Sequence, residues 1–485
     1  MYPLLMFIVI FAGVTHLAMV VLYWTYCIVA LMVMVRVVLN NRDAVKTLAW
    51  ILVLLFLPVL GLLLYFFFGR DTRKERMIGR RMLTQIQQRR QLNDDADNQA
   101  DVPQGYEPLV NYLRNSSSAC LVGASDVKVI RFMNEFAKAL YDEIDAAKEH
   151  IHIQFYIIED DEFGLLLREH LMAKAREGVE VRVIYDSVGC WKISKEFFET
   201  MRCAGVYVES FMKVRFPLLT NRVNYRNHRK VVVIDGKVGF VGGCNVADRY
   251  LKGVEWGDWR DTMMMLRGMA VHGLQSSFLV DWYFANRTLV CGKRYFPQLP
   301  SGNEALVQVV QSNPVGEVRS AMVGMIKALS MARNYVYMQT PYFMPGGAFL
   351  LALKSAAMSG VDVRLMIPER SDNRVVDYAS RSYLVDIMKA GVKVYLYNQG
   401  FLHSKTMVCD DNLSSVGSMN LDFRSFYYNF EVSAFVYSRK VACALKEKFL
   451  DEARCCRQLS LSTFAKRSLK ERCLESVARL LSPLL

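Results

Sequence analysis

Two stretches of this chain, "HRKVVVIDGKVGFVGGCN" from His228 and "HSKTMVCDDNLSSVGSMN" from His403, carry the same residues at the same offsets. In each, a histidine is followed two residues later by lysine, five further on by aspartate, and ten beyond that by asparagine. Extended backbone alternates side chains between faces, so His228 and Lys230 share one face, as do His403 and Lys405. The surrounding sequence is duplicated too. "HIHIQFYIIED" is echoed by "NYVYMQTPYFMPGG", "GVEVRVIYD" by "GVDVRLMIPE", and "AGVYVESF" by "AGVKVYLYN", with a helical stretch between strands in each copy. The pattern predicts an α/β fold of two similar halves, with right-handed crossovers and mixed β-sheets packed around a pseudo-twofold axis. In this reading His150, His152, His170 and His272 are core or sheet-surface residues rather than chemical ones.

Two imidazoles, two ammonium groups and two amides, without an evident set of metal ligands, suit a phosphate diester. A neutral imidazole attacks phosphorus while a protonated one gives its proton to the leaving oxygen, and the roles then reverse. Lysines and asparagines around the phosphoryl oxygens stabilise the developing charge. Two neighbouring histidines disfavour double protonation, which keeps one neutral, and a carboxylate behind each ring would fix its tautomer.

The N-terminus has a different character. No charged residue precedes Arg36, and a second uncharged run extends from Thr47 to Phe68. Each is long enough to suggest a membrane span, about 8–32 and 47–68, and the absence of a basic start argues against a cleaved signal peptide. Arg70, Arg73, Lys74, Arg76, Arg80 and Arg81 outnumber Arg36, Arg42 and Lys46 in the link between the runs, which puts the following domain on the cytoplasmic side of the cell membrane. The expected organisation is an anchor over 1–70, a basic and polar linker over 71–107, a first domain over 108–295, and a second over 296–485 ending in an amphipathic helix. A hydrophobic content of 53% and a formal net charge of +13 fit an integral membrane protein working beside anionic lipid. Lys213, Arg215, Arg222, Arg226 and Arg229 surround an apolar "FPLL", in which Phe216 and Leu218 are expected to anchor in the bilayer interface. Eleven cysteines at irregular spacing suggest neither a zinc site nor a disulfide framework, and fit a reducing compartment.

The paired HxKxxxxD motif resembles that of the phospholipase D superfamily. "FVGGCNVADRY", "TPYF", "FLHSK", "GSMNLDFRSFYYNFE" and "RLLSPLL" make the chain similar more narrowly to bacterial cardiolipin synthases, over nearly its whole length. The resemblance implies two phospholipase D-like domains sharing one site, no cofactor and no metal, and a phosphatidyl-histidine intermediate. It places His228, Lys230, His403 and Lys405 in the catalytic set, with His228 as nucleophile and His403 as acid and then base. Asn245, Ser418 and Asn420 would bind substrate, Asp261 would orient His228, and Glu431 would orient His403. The motif aspartates Asp235 and Asp410 join this set by family pattern, although their place between strand and turn reads as structural. Gly243 stands where many relatives have serine, methionines follow "WRDT", and Arg249 stands where an acidic residue is expected, which bears on acceptor preference. The implied activity transfers a phosphatidyl group from one phosphatidylglycerol to another. Hydrolysis, a different donor or acceptor such as phosphatidylethanolamine, and a membrane-bound nuclease are the alternatives. No aromatic and basic stripe suited to stacking bases is evident, so no nucleic-acid partner is expected.

Overall fold

The computed structural model describes residues 2–39, 44–57, 59–69, 101–213, 224–299, 302–314, 316 and 318–485. The N-terminal unit is led by a helix over Tyr2–Leu39, in which Met19–Leu39 is long and apolar enough to cross a membrane. Leu22, Trp24, Ile28, Leu31 and Met32 are exposed along it, as lipid-facing side chains would be. The expected second span takes another form. Its residues fall into a helix over Ala44–Phe56, a short helix over Leu60–Leu64 and a π-helical turn over Tyr65–Gly69. Pro58 lies between the first two in sequence, and a proline removes a helical hydrogen bond and clashes with the preceding turn. Thirteen residues fall short of the about 20 that a span requires, so among the described residues one candidate span stands where two were expected. Tyr26 donates to the Leu54 carbonyl at 3.2 Å, and Val37, Leu54 and Tyr65 are buried together. The basic cluster from Arg70 to Arg81 and most of the linker lie outside the described residues, as do Arg215, Phe216, Leu218 and Arg222.

The large unit is built on a mixed sheet of 15 strands. From one edge, the order is Cys456–Gln458, Lys393–Tyr397, Asp362–Pro368, Tyr335–Gln339, Thr406–Cys409, Leu413–Gly417, Glu431–Tyr437 and Ala305–Ser312. It continues with Val122–Ile130, Met263–Gly268, Val238–Gly242, Val231–Ile234, His150–Phe155, Glu180–Asp186 and Tyr207–Phe211. The duplication therefore extends to register. His150 pairs in parallel with Glu180 as Tyr335 does with Asp362, and Arg182 pairs with Tyr207 as Arg364 does with Lys393. Parallel neighbours require crossovers, and helices supply them: Glu162–Arg176 and Lys195–Cys203 in the first half, Gly347–Met358 and Arg374–Arg381 in the second. Asp161, Ser194 and Asn373 cap three of these helices by accepting backbone N–H groups of the first turn.

The halves join through Ala305–Ser312, which pairs antiparallel with both Val122–Ile130 and Glu431–Tyr437. One apolar cluster crosses this seam, packing Val231, Val241, Met264 and Leu266 with Val307, Val309, Val416 and Val432. His150 and His152 are buried, as expected of core histidines, each within hydrogen-bond distance of the Gln275 amide. The C-terminal helix Leu469–Leu481 packs on the unit by an unexpected face. Glu475 and Ala478 are buried, with Arg467 donating to Glu475 at 2.8 Å, while Leu469, Val477 and Leu480 remain exposed.

Candidate active site

Neither motif histidine lies within a strand. His228–Lys230 and His403–Lys405 are extended segments leading into Val231–Ile234 and Thr406–Cys409, and each crosses to the other half. The His228 amide donates to the Phe430 carbonyl at 2.9 Å, and the Phe430 amide returns a bond to Arg226. The His403 amide donates to the Arg260 carbonyl at 2.6 Å, continuing the parallel pairing of Gly400–Leu402 with Asp258–Arg260. The residues following those two carbonyls are Glu431 and Asp261. As a result, the histidine–carboxylate pairs are crossed. His228 Nδ1 lies 3.1 Å from both Glu431 oxygens, and His403 Nδ1 lies 2.6 Å from Asp261 Oδ2. The expectation that each carboxylate orients the histidine of its own copy is corrected: backbone pairing between the halves delivers each to the other's ring. A ring N–H given to the carboxylate leaves Nε2 of each histidine for chemistry.

The lysines share the histidines' faces as the spacing predicts. Lys230 Nζ donates to the His228 carbonyl at 2.7 Å, and Lys405 Nζ donates to the His403 carbonyl and lies 2.9 Å from His403 Nδ1. Both lysines are buried, and burial pushes Lys405 down to about 8 and Lys230 well below the usual ammonium range. Burial likewise brings His228 down to about 4 and His403 well below an ordinary imidazole, with Lys405 and Lys230 pressing His403 further. Glu431 opposes the shift of His228 and is itself held below the usual carboxylate range by that ring, whereas burial raises Asp261 to about 6.

Ser418 donates to Glu431 Oε2 at 2.5 Å and accepts the Val432 amide at 3.0 Å, so it supports the carboxylate behind His228. The matching position in the first copy is Gly243, where a Cβ would meet Asp261 Oδ1 at 2.2 Å. The shorter aspartate occupies the room a side chain would need. Asn245 donates to the Tyr250 hydroxyl at 2.6 Å and accepts the Ile157 amide, and Asn420 donates to Asp422 at 3.1 Å while its Oδ1 is buried without a partner.

Asp235 and Asp410 are elsewhere. Asp235 accepts the amides of Lys148, Glu149 and His150 at 2.9, 2.7 and 2.9 Å; Asp410 accepts those of Arg333, Asn334 and Tyr335 at 2.6, 2.8 and 2.8 Å. These carboxylates pin the loop entering the first parallel strand of each half, which corrects their place in the catalytic set. Arg226 and Arg229 are buried rather than turned to lipid. Arg226 pairs with Asp186 at 3.1 Å, and Arg229 pairs with Asp281 at 2.8 Å while its Nε donates to the Glu431 carbonyl at 3.1 Å. Sequence reading also missed the aromatic walls: Tyr156 stands edge-on to His228 at 5.1 Å, and Trp259, Tyr250 and Phe401 lie 5.3, 5.6 and 5.9 Å from His403. Only "DWRD" and "FLHSK", with aromatics beside motif residues, hinted at them. Among the described residues, no three His, Cys, Asp or Glu side chains gather as a metal-binding group.

The chain matches the family described as cardiolipin synthase, PLD-like domain, over residues 140–257 and 325–452, and the phospholipase D-nuclease N-terminal family over 28–70. It is 40% identical over 460 residues to the major cardiolipin synthase of Bacillus subtilis (strain 168), covering 92% of this chain and 95% of that one. It is 39% identical over 468 residues to a cardiolipin synthase of Listeria innocua, covering 93% and 96%. Among solved structures, phosphatidylserine synthase of Haemophilus influenzae shares the fold, with a TM-score of 0.60 at 13% identity over 78% of this chain and all of that one. With both motif copies inside the matched segments and similarity running through almost the full length, the chain belongs to the cardiolipin synthase family of phospholipase D-like proteins.

Proposed function

We propose that this protein is a cardiolipin synthase, transferring the phosphatidyl group of one phosphatidylglycerol to the free hydroxyl of a second and releasing glycerol. The observation that carries this reading is the crossed pairing of two histidines with two carboxylates, beside two buried lysines. His228 Nε2 attacks the donor phosphorus, with Glu431 holding the Nδ1 proton and stabilising the ring as it gains charge. The bond from phosphorus to the glycerol oxygen breaks, and His403 Nε2 gives that oxygen a proton. In the second step His403 takes the proton of the acceptor hydroxyl, whose oxygen attacks phosphorus and displaces His228. Lys230, Lys405, Asn245 and Asn420 surround the phosphoryl oxygens, and the phosphodiester anion supplies the counter-charge that raises the two lysines and, with Asp261, lets His403 hold the proton that it donates. The half-domains, 108–295 and 296–485, meet about a pseudo-twofold axis at this site. The Met19–Leu39 helix sets the unit beside its lipid substrate, and the basic residues from Arg70 to Arg81 favour the cytoplasmic face.

The test is incubation of membranes containing the protein with labelled phosphatidylglycerol, alongside His228→Ala and His403→Ala. Cardiolipin and glycerol are expected from the native protein and from neither variant. Phosphatidic acid as the sole product would replace transfer by hydrolysis, and undiminished activity in both variants would remove the site assignment.

A further inference from the structure

Arg249 and Arg424 each lie four residues after a motif asparagine, Asn245 and Asn420, on matching short helices over Asp248–Lys252 and Phe423–Tyr427. The duplication has thus placed one arginine on each side of the site. Arg249 Nη1 donates to Glu159 Oε1 at 2.6 Å, using one of the five donors of its guanidinium. The guanidinium lies 5.6 Å from the ring centroids of both Tyr250 and Trp259. Those two rings form the wall against His403, so Arg249 is a partly exposed cation one side chain removed from that imidazole. Arg424 instead donates to the Asn224 carbonyl at 3.3 Å, on the segment that runs into His228.

In an in-line displacement the attacking and leaving atoms lie on opposite sides of phosphorus. With His228 as nucleophile, the departing glycerol and the entering alcohol both use the His403 side. An acceptor phosphatidylglycerol brings a second phosphodiester, separated from its reacting hydroxyl only by its glycerol carbons. The phosphoryl group under attack already has Lys230, Lys405 and the motif asparagines around it, whereas the acceptor's phosphate requires a cation further out, beyond His403. Arginine's planar fork suits this, because it binds phosphate through paired donors while stacked on aromatic faces.

We infer that Arg249, held by Glu159 over Tyr250 and Trp259, is the anchor for the acceptor's phosphodiester, and that it selects a phosphate-bearing alcohol over glycerol or water. This rests on the functional reading above, with His228 as nucleophile. Arg424, at the matching position on the nucleophile side, serves as the internal comparison.

The experiment uses full-length protein with labelled phosphatidylglycerol, measuring two products in parallel: cardiolipin, and phosphatidylglycerol that has exchanged its headgroup with labelled free glycerol. Exchange needs donor attack and His403 but no second phosphate. Arg249→Gln is expected to lower cardiolipin relative to exchange by about tenfold or more, the loss typical of a hydrogen bond to a charged group. Arg249→Lys is expected to recover part of that ratio, and Arg424→Gln to leave it unchanged. Retained exchange shows that the variant is folded. An unchanged ratio in Arg249→Gln, including equal loss of both products, would overturn the inference. A ratio shifted by Arg424→Gln instead would move the acceptor to the His228 side and overturn it as well. Absence of cardiolipin from the native protein, with exchange present, would remove the functional reading and the acceptor site together.

Discussion

His228 and His403 occupy matching positions of the repeated motif, yet different charges surround them. His228 faces Glu431, whose negative charge favours the imidazolium, but burial dominates and the ring titrates at about 4. The acid limb of kcat/KM, which reports the free enzyme's base, should therefore lie near pH 4 rather than near the about 6.5 of an ordinary imidazole. Glu431→Gln keeps a hydrogen-bond acceptor but removes the charge that raises His228. The limb should then move lower still, with kcat reduced by about a hundredfold or more. A limb near pH 6.5 that ignores this substitution would contradict the assignment of His228 as nucleophile. The same shift makes stability depend on pH. The unfolded histidine binds its proton near 6.5 and the folded one only near 4, so the folded state is favoured above that window and loses stability as pH falls through it.

The turns carry a second pair of duplicated residues with a different task. Asp235 and Asp410 adopt positive φ of 51° and 48° and gather three amides each at the start of a parallel strand. Replacing either by alanine unpairs those amides and strains the turn, at a cost of about 1–3 kcal/mol per lost partner. Asparagine retains an acceptor and tolerates the left-handed conformation, so it should be milder. Both variants should keep their histidine–carboxylate pairs, and equilibrium unfolding compared with turnover per folded molecule separates the two effects. Turnover per folded molecule lost in Asp235→Asn would return the residue to the chemistry. The segment around His228 shows the converse: Arg226 and Arg229 look like surface charge in sequence, but Asp186 and Asp281 lie buried against them. Buried guanidiniums need such partners, and neither aspartate is near them in the chain.

At the scale of the whole molecule, the halves resemble each other and are not independent. Ala305–Ser312 is hydrogen-bonded on both sides, and each histidine takes its carboxylate from the other half. A chain ending at residue 299 would contain His228 without Glu431 and Asp261 without His403. Such a fragment should show no phosphatidyl transfer and should associate through its unpaired Val122–Ile130 edge, as measured by product analysis and light scattering. Catalysis by a monodisperse fragment would break the shared-site arrangement. The sequence by itself determined the duplication, the strand-and-helix alternation and the face shared by each histidine and lysine. Those follow from local spacing, which repeats whether or not the chain is folded. It also determined the family, through motifs long enough to be specific. Tertiary structure alone decided which carboxylate serves which histidine, because the parallel pairing of Asn227 with Phe430, and of Leu402 with Arg260, joins residues far apart in the chain. It also decided that Gly243 makes room for Asp261, that Asp235 and Asp410 hold loops, and that Arg249 stands over the rings beside His403. Each of these depends on distances across the fold, and spacing along a chain carries no information about what packs against it.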